Sequence, residues 1–378
     1  MKQSLFAAGL FAVANGLICP VHADLKDDLK KIVLPPGFQI EIFADDVPNA
    51  RGLARGENGT VFVGTRTKGD VYALVDEDGD YRADKRHTIF AEGELPDGSE
   101  ILQPTGVAFR DGSLYVGAIS HILRWDNIEK NLSKPGAPVI VTSAYPDKQH
   151  HGWKYIAFGP DGKLYVPVGA WCNVCDDPDE VFASITRINA DGSGREVVAK
   201  GVRNTVGFDW HPETKELWFT DNGRDGMGDD MPADELGRVE KAGQHFGFPY
   251  IHQGDTPDPQ FGAGHSPGEF TKPAINLGPH VAAVGMKFYT GAMFPAEYKG
   301  QILIAEHGSW NRSKKLGYRI TMVTLKGSEA ETYTTFAEGW LQDGKFWGRP
   351  VDLLLLPDGS MLVSDDVANA VYRISYKP

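Results

Sequence analysis

A turn leading into a three-residue apolar strand core recurs six times along the 378-residue chain, at 59–63, 112–116, 162–166, 215–219, 300–304 and 359–363. The apolar cores begin at Val61, Leu114, Leu164, Leu217, Ile302 and Met361, so successive copies lie 53, 50, 53, 85 and 59 residues apart. Repetition at this period marks units that cannot bury their faces alone. Most copies follow a second strand and a tight turn, as in Tyr155-Ile156-Ala157-Phe158-Gly159-Pro160-Asp161-Gly162. There Pro suits the first corner, and Asp-Gly tolerates the positive φ of a hairpin. A further strand often follows, such as Val71-Tyr72-Ala73-Leu74 or Val371-Tyr372-Arg373-Ile374. Three or four antiparallel strands per unit make a propeller blade. Six units predict an all-β, six-bladed β-propeller over residues 24–378 as one domain. Stacked β-sandwiches are disfavoured by a period that runs the length of the chain.

An open array would leave two sheet edges unpaired. Phe38-Gln39-Ile40-Glu41-Ile42-Phe43 alternates with period two ahead of the first repeat, and it is placed to serve as the outer strand of the last blade. The 85-residue interval carries roughly 30 extra residues between Asp221 and Pro279, read as an extended loop insertion after the fourth blade. It is either surface drift or a lid over the central opening.

Lys+Arg number 38 against Asp+Glu 51, a net charge of −13 with no basic block, which sets nucleic-acid binding aside. Residues 1–23 read as a secretory signal: Lys2, an apolar stretch from Leu5 to Cys19, then Val21-His22-Ala23 with cleavage after Ala23. The stretch is too short, and interrupted by Asn15, to span a bilayer. Ile18 before Cys19 argues against a lipoprotein anchor. A soluble periplasmic or secreted protein with no membrane anchor is expected. In that compartment Cys172 and Cys175 are expected to form a short-loop disulfide. Asp176 stands where covalent haem attachment needs His, so the cysteine pair is not a haem-attachment motif.

The repeat register places several polar groups at blade ends. His150 and His151 lead into the third repeat, where an imidazole is either a packed residue or a general base. Arg203 and Asn204 precede the fourth, offering a planar cationic fork and an amide, or else a structural ion pair. His307, Asn311 and Arg312 leave the fifth, and Arg349 enters the sixth. Gln103, His151, Arg203, Arg312 and Arg349 can all face one channel, an arrangement suited to an anion. Six acids fall within 221–235, including Asp229, Asp230, Asp234 and Glu235, beside Gly223 and Arg224. They are either a solvated acidic loop or oxygen ligands for a hard cation such as Ca²⁺. Asp76, Asp78, Asp80 and Asp84 occupy positions 1, 3, 5 and 9 of a calcium-type loop, but Tyr81 replaces its Gly and His87 its final Glu.

These ordered phrases resemble the soluble quinoprotein sugar dehydrogenases, the glucose/sorbosone dehydrogenase-like branch that uses pyrroloquinoline quinone (PQQ). The matching runs are His151 to Val166, Gly201-Val202-Arg203-Asn204, His307-Gly308-Ser309-Trp310-Asn311-Arg312 and Gly348-Arg349-Pro350-Val351-Asp352. The resemblance implies a six-bladed propeller that oxidises an aldose, sorbosone-like aldehyde or related polyol. His151 would be the general base, with His150 the alternative. Arg203 would polarise the quinone oxygen and Asn204 hold its neighbour, while Gln103 fits the active-site glutamine. Ca²⁺ would sit on backbone carbonyls near Gly223 and Arg224. Arg349 matches a cofactor-binding arginine, and Arg312 or His307 replaces the family's cofactor-binding lysine. A Ca²⁺-dependent propeller hydrolase such as a lactonase, and a non-catalytic binding propeller, are the rival readings.

Overall fold

Six antiparallel sheets, each of four or more strands, succeed one another along the chain and close into a six-bladed propeller. The structure, a computed structural model, describes residues 25–378 apart from 92, 94 and 96. The proposed signal segment therefore lies outside the described residues. Blade 1 comprises Ala50–Arg55, Val61–Thr65, Val71–Val75 and Lys85–Phe90; blade 6 begins with Pro350–Leu355, Met361–Asp365 and Ala370–Tyr376. Among the described residues, no helix is long and apolar enough to cross a membrane.

The repeated apolar core is the second strand of each blade. Val61–Thr65, Leu164–Val168, Leu217–Asp221, Ile302–Glu306 and Met361–Asp365 are buried at every residue. That explains why the repeat reads as a continuous apolar run rather than an alternation, since both faces of the strand are covered by neighbouring blades. The hydrophobic core is correspondingly divided into six clusters, one at each blade boundary. Phe62 and Val71 of blade 1 pack with Leu114 and Leu123 of blade 2, for example, and Trp218 of blade 4 packs with Met286 and Ile302 of blade 5.

The sixth boundary is closed as expected. Phe38–Ala44 pairs antiparallel with Ala370–Tyr376, Phe38 opposite Tyr376 and Ile42 opposite Tyr372. The strand that precedes blade 1 thus completes blade 6 as its outer strand and joins the two ends of the array. Near the axis, glycine permits close approach: a Cβ at Gly52 would overlap the carbonyl oxygen of Thr105, and one at Gly207 that of Val284.

The long interval needs a correction. Its extra residues fall inside the fourth blade, not after it, because Ala233–Val239 and Ile275–Pro279 are that blade's third and fourth strands. The additional length is divided between the 222–232 hairpin loop and the 240–274 connection. Within the latter, Gln244–His245 pairs in parallel with blade 3, and Ile251–His252 pairs with Thr256–Pro257. The insertion is therefore bound to a neighbouring blade by main-chain hydrogen bonds.

Phe38 makes edge-on ring contacts with Phe294, Tyr298, Phe336 and Tyr376 at centroid distances from 4.7 to 5.1 Å, locking the closing strand against blade 5. Phe38→Ala is expected to cost about 3–5 kcal/mol, read as a lower urea midpoint with an unchanged slope.

Candidate functional site

The innermost strand of every blade starts at the same end of the ring. The segments just before those starts, and the hairpins joining second to third strands, surround a cavity of about 400 Å³ there. His150, His151, Arg203, Asn204 and Gly223 line it, with Asp234, His307, Asn311 and Arg349. Nine residues singled out from the sequence thus converge from blades 3 to 6. Trp153, Asp225 and Trp310, which fall within the quoted runs without an assigned role, also line it, as do Arg51, Arg66 and His280, which no motif contained.

His151 is buried and held in the left-handed region at φ 51°, which non-glycine residues occupy rarely. Its Nδ1 lies 2.8 Å from the carbonyl oxygen of Ala170. A carbonyl only accepts, so Nδ1 carries the proton and Nε2 is left as the acceptor. Burial, then the Arg203 charge and the neighbouring His150, push its pKa down to about 2, so the imidazole is neutral. The His150 ring lies 4.0 Å away between centroids, and its pKa is also lowered, first by burial and then by Arg203.

Arg203 is a buried cation solvated by protein oxygens. Nε donates to the Asn173 carbonyl at 2.8 Å, and Nη1 donates to the carbonyls of Asn222 and Gly223 at 3.1 and 2.9 Å. Nη2 donates to Asn173 Oδ1 at 2.9 Å and Asp225 Oδ2 at 3.4 Å. All five N–H groups are engaged, so this guanidinium orders the surrounding loops. The Asp221 carboxylate fixes the backbone at this point by accepting the N–H groups of Arg203 and Asn204 at 2.8 and 2.6 Å.

On the other wall, His307 Nε2 donates to Asp366 Oδ1 at 2.8 Å, while Arg51 Nε reaches Asp366 Oδ2 at 3.0 Å. Burial first, then Arg51 and Arg349, lower the His307 pKa to about 4. Burial alone would raise the carboxyl of Asp366, but His307 and Arg51 hold it well below the usual range. Arg349 gives Nε and Nη2 to the carbonyls of His307 and Gly308 at 2.7 and 2.6 Å. The guanidinium of Arg66 stacks on Trp153, 3.8 Å from the ring centroid, and its buried Nε has no hydrogen-bond partner among the described residues. Burial and the nearby Arg51 and Arg349 lower its pKa to about 10.

The acidic stretch divides. Asp234 accepts Gly223 N–H at 3.0 Å and Ala283 N–H at 3.2 Å, and burial raises its pKa to about 7. Asp225 Oδ1 accepts Asn311 Nδ2 at 2.6 Å. Four expected ligands do not reach the cavity. Asp229 and Asp230 stand on the rim, where Arg312 and Ser313 bind them. Glu235 is half-buried beside Asp221, accepting Gln253 N–H, with its pKa raised by the loss of solvent around the carboxyl and by Asp221. Arg224, expected to offer its backbone carbonyl, is not on the wall, and its side chain is paired with Asp258 at 2.5 Å. Two other expected residues are also absent from the walls. Arg312 is spent on the rim acids, and Gln103 lies on the segment entering blade 2 with its Oε1 buried and unpartnered among the described residues. At the opposite end of blade 1, Asp76, Asp78 and Asp84 bring one oxygen each within 4.8 Å of one another. Backbone N–H groups of Glu77, Gly79 and Tyr81 already bind Asp84 and Asp76 there.

The family described as glucose/sorbosone dehydrogenase matches residues 121–313, and one described as TrAA12-like matches residues 255–377. A Borreliella burgdorferi protein described as uncharacterized is 33% identical over 378 residues, 96% of this chain and 95% of its own. Among solved structures, the Trichoderma reesei carbohydrate-active enzyme of family AA12, in a calcium structure, superposes with a TM-score of 0.77 at 17% identity, covering 92% of this chain and 97% of that one. The holo PQQ domain of pyranose dehydrogenase from Coprinopsis cinerea gives 0.75 at 16%, covering 91% and 97%. The PQQ-bound aldose sugar dehydrogenase from Streptomyces coelicolor gives 0.63 at 18%, covering 91% and 100%. At such identities the superpositions speak to the six-bladed fold. The family match itself runs from the second blade into the fifth, over half of the chain, and on that ground the chain belongs to the glucose/sorbosone dehydrogenase family.

Proposed function

We propose that this protein is an exported PQQ- and Ca²⁺-dependent dehydrogenase that oxidises an aldose, a sorbosone-like aldehyde or a related polyol and yields its electrons to a separate acceptor. The observation that carries the reading is a neutral imidazole of fixed tautomer, His151, set among arginines in a single cavity. The structural relatives described as PQQ-bound or PQQ-domain dehydrogenases support it, as does the family.

The residues present fit the implied groups. PQQ bears three carboxylates, and the cavity offers Arg66, whose buried Nε lacks a partner, and Arg349, whose contacts are to backbone carbonyls. Asn311 Oδ1, an acceptor, is also buried without a partner among the described residues and suits a donor on the ligand rather than a carboxylate. About 400 Å³ falls within the usual size of a small-molecule site. For a hard cation, the carbonyls of Asn222 and Gly223 and the carboxylates of Asp225 and Asp234 supply an oxygen donor set. Arg66, Arg349, His307, Asn311 and Asn204 would hold the cofactor, and that oxygen cluster the cation. Bound together, they would supply a two-electron acceptor made electrophilic by a Lewis acid.

The chain's own part is proton handling and positioning. His151 Nε2 is free to take the hydroxyl proton of the substrate, while the Ala170 carbonyl holds Nδ1–H and stabilises the imidazolium that forms. Burial is the first cause of the lowered His151 pKa and the Arg203 charge the second, and a bound tricarboxylate would offset only the arginines' share. Arg203 fixes the carbonyls of residues 222 and 223 and contributes a positive field at close range.

Purified protein mixed with PQQ and Ca²⁺ is expected to shift the quinone absorbance and reduce a dye across a sugar panel. Activity indifferent to PQQ would point instead to a Ca²⁺-dependent hydrolase. His151→Ala is expected to lower kcat about 10²–10⁴-fold with little change in PQQ affinity, and Arg349→Ala chiefly to weaken PQQ uptake in an equilibrium titration. Before PQQ is added, ¹⁵N-histidine NMR is expected to show His151 as the neutral Nδ1–H tautomer from pH 4 to 8, because its pKa lies near 2. Titration near pH 6.5 would contradict that environment.

A further inference from the structure

We propose that Asn173, framed by the Cys172–Cys175 disulfide, is a positioning residue that holds segment 222–225 and the Arg203 guanidinium in the arrangement that receives the cation and the anionic cofactor. What is received rests on the functional reading above; how the clasp works rests on geometry.

The disulfide closes a ring around only Asn173 and Val174, on the hairpin that follows the second strand of blade 3. Asn173 turns its polar groups across the blade boundary. Its side-chain amide pairs with the peptide groups of Asp225 in both directions: Asp225 N–H donates to Oδ1 at 2.9 Å, and Nδ2 donates to the Asp225 carbonyl at 3.0 Å. The second lone pair of Oδ1 accepts Arg203 Nη2 at 2.9 Å, and the Asn173 carbonyl accepts Arg203 Nε at 2.8 Å. Asp225 carries the connection onward to Asn311 of blade 5. One residue of blade 3 therefore ties together the cation-side carbonyls, a buried cation and a cofactor-side amide.

Only a side chain with a donor and an acceptor in one short planar group can match a peptide in this way. Aspartate keeps the acceptors but loses the donor and sets a charge against Asp225. Alanine removes both and leaves one N–H of the buried guanidinium unmatched, which is costly in a low-dielectric site. The two-residue ring restricts the backbone of Asn173, lowering the entropy lost when these four bonds form.

The test compares wild type, Asn173→Ala, Asn173→Asp and the Cys172→Ser/Cys175→Ser double variant. Hydrogen–deuterium exchange over 222–230 is followed without PQQ or Ca²⁺, and calorimetry then gives Ca²⁺ and PQQ affinities. Asn173→Ala is expected to exchange faster over 222–226 and to weaken both ligands by about tenfold or more, the loss typical of removing a residue that orients a metal's ligands. The double-serine variant should fall between it and wild type, with the thermal midpoint little changed. Exchange in Asn173→Ala equal to wild type would overturn the clasp. Faster exchange with unchanged affinities would also overturn it, since the contacts would then be structural only. If Asn173→Ala fails to fold, Asn173→Asp and the double-serine variant carry the same comparison. A wild type that binds neither PQQ nor Ca²⁺ overturns the functional reading, and the clasp's role in ligand capture with it, whatever the exchange rates.

Discussion

Pairing of Phe38–Ala44 with Ala370–Tyr376 is the constraint on which the remaining geometry depends, because it turns a row of six sheets into a ring. A ring has one axis, and every innermost strand begins at the same end of it. Residues as distant in sequence as Arg51, His151, Arg203 and Arg349 reach one cavity for that reason alone. The apolar clusters at the blade boundaries supply the stabilisation, and all but one would form as well in an open array; the cluster that joins Val61 and Val63 of blade 1 to Leu362 and Val371 of blade 6 exists only in the closed ring. Closure is what fixes the distances across the mouth.

The site is electrostatically opposite to the molecule around it. The chain carries a net charge of −13, yet four arginines line one cavity. Burying cations costs several kcal/mol each unless oxygens replace the lost water. Arg203 achieves this with carbonyls and an amide, and Arg51 with Asp366. Arg66 relies on the face of Trp153, which compensates only in part. The uncompensated remainder is the cavity's affinity for an anion. Burial first, and this field second, keep His151 and His307 neutral.

The fold was legible because the repeat is periodic and its turn chemistry explicit, and blade-end residues could be located by counting from each repeat. The acidic stretch misled because neighbours in sequence are not neighbours in space. Asp234 and Glu235 are consecutive residues of the strand Ala233–Val239, so their side chains point to opposite faces. One reaches the cavity and the other packs beside Asp221. Asn311 and Arg312 part company in the same manner, one inward and one to the rim acids. Arg51, Arg66 and Asn173 belong to no repeated phrase, and only the closed ring reveals what they face. The fourth blade shows a different limit. Strand counting by period locates extra length, but it cannot say between which two strands that length enters.

The arrangement also separates two tasks that a single arginine is often asked to perform. A guanidinium with every N–H committed cannot also donate to a ligand, so Arg203 acts through the oxygens it holds and through its charge. Direct donation falls to groups with spare N–H capacity, namely Arg66 and Arg349, while Asn311, whose Nδ2 is bound to Asp225, offers its unpartnered Oδ1 as an acceptor. These lie on loops of blades 1, 5 and 6, whereas the proton acceptor and the oxygen cluster come from blades 3 and 4. Anion capture on one side of the axis and proton acceptance on the other is the division of labour expected of a site that must hold a charged oxidant in place while leaving one imidazole nitrogen facing its substrate.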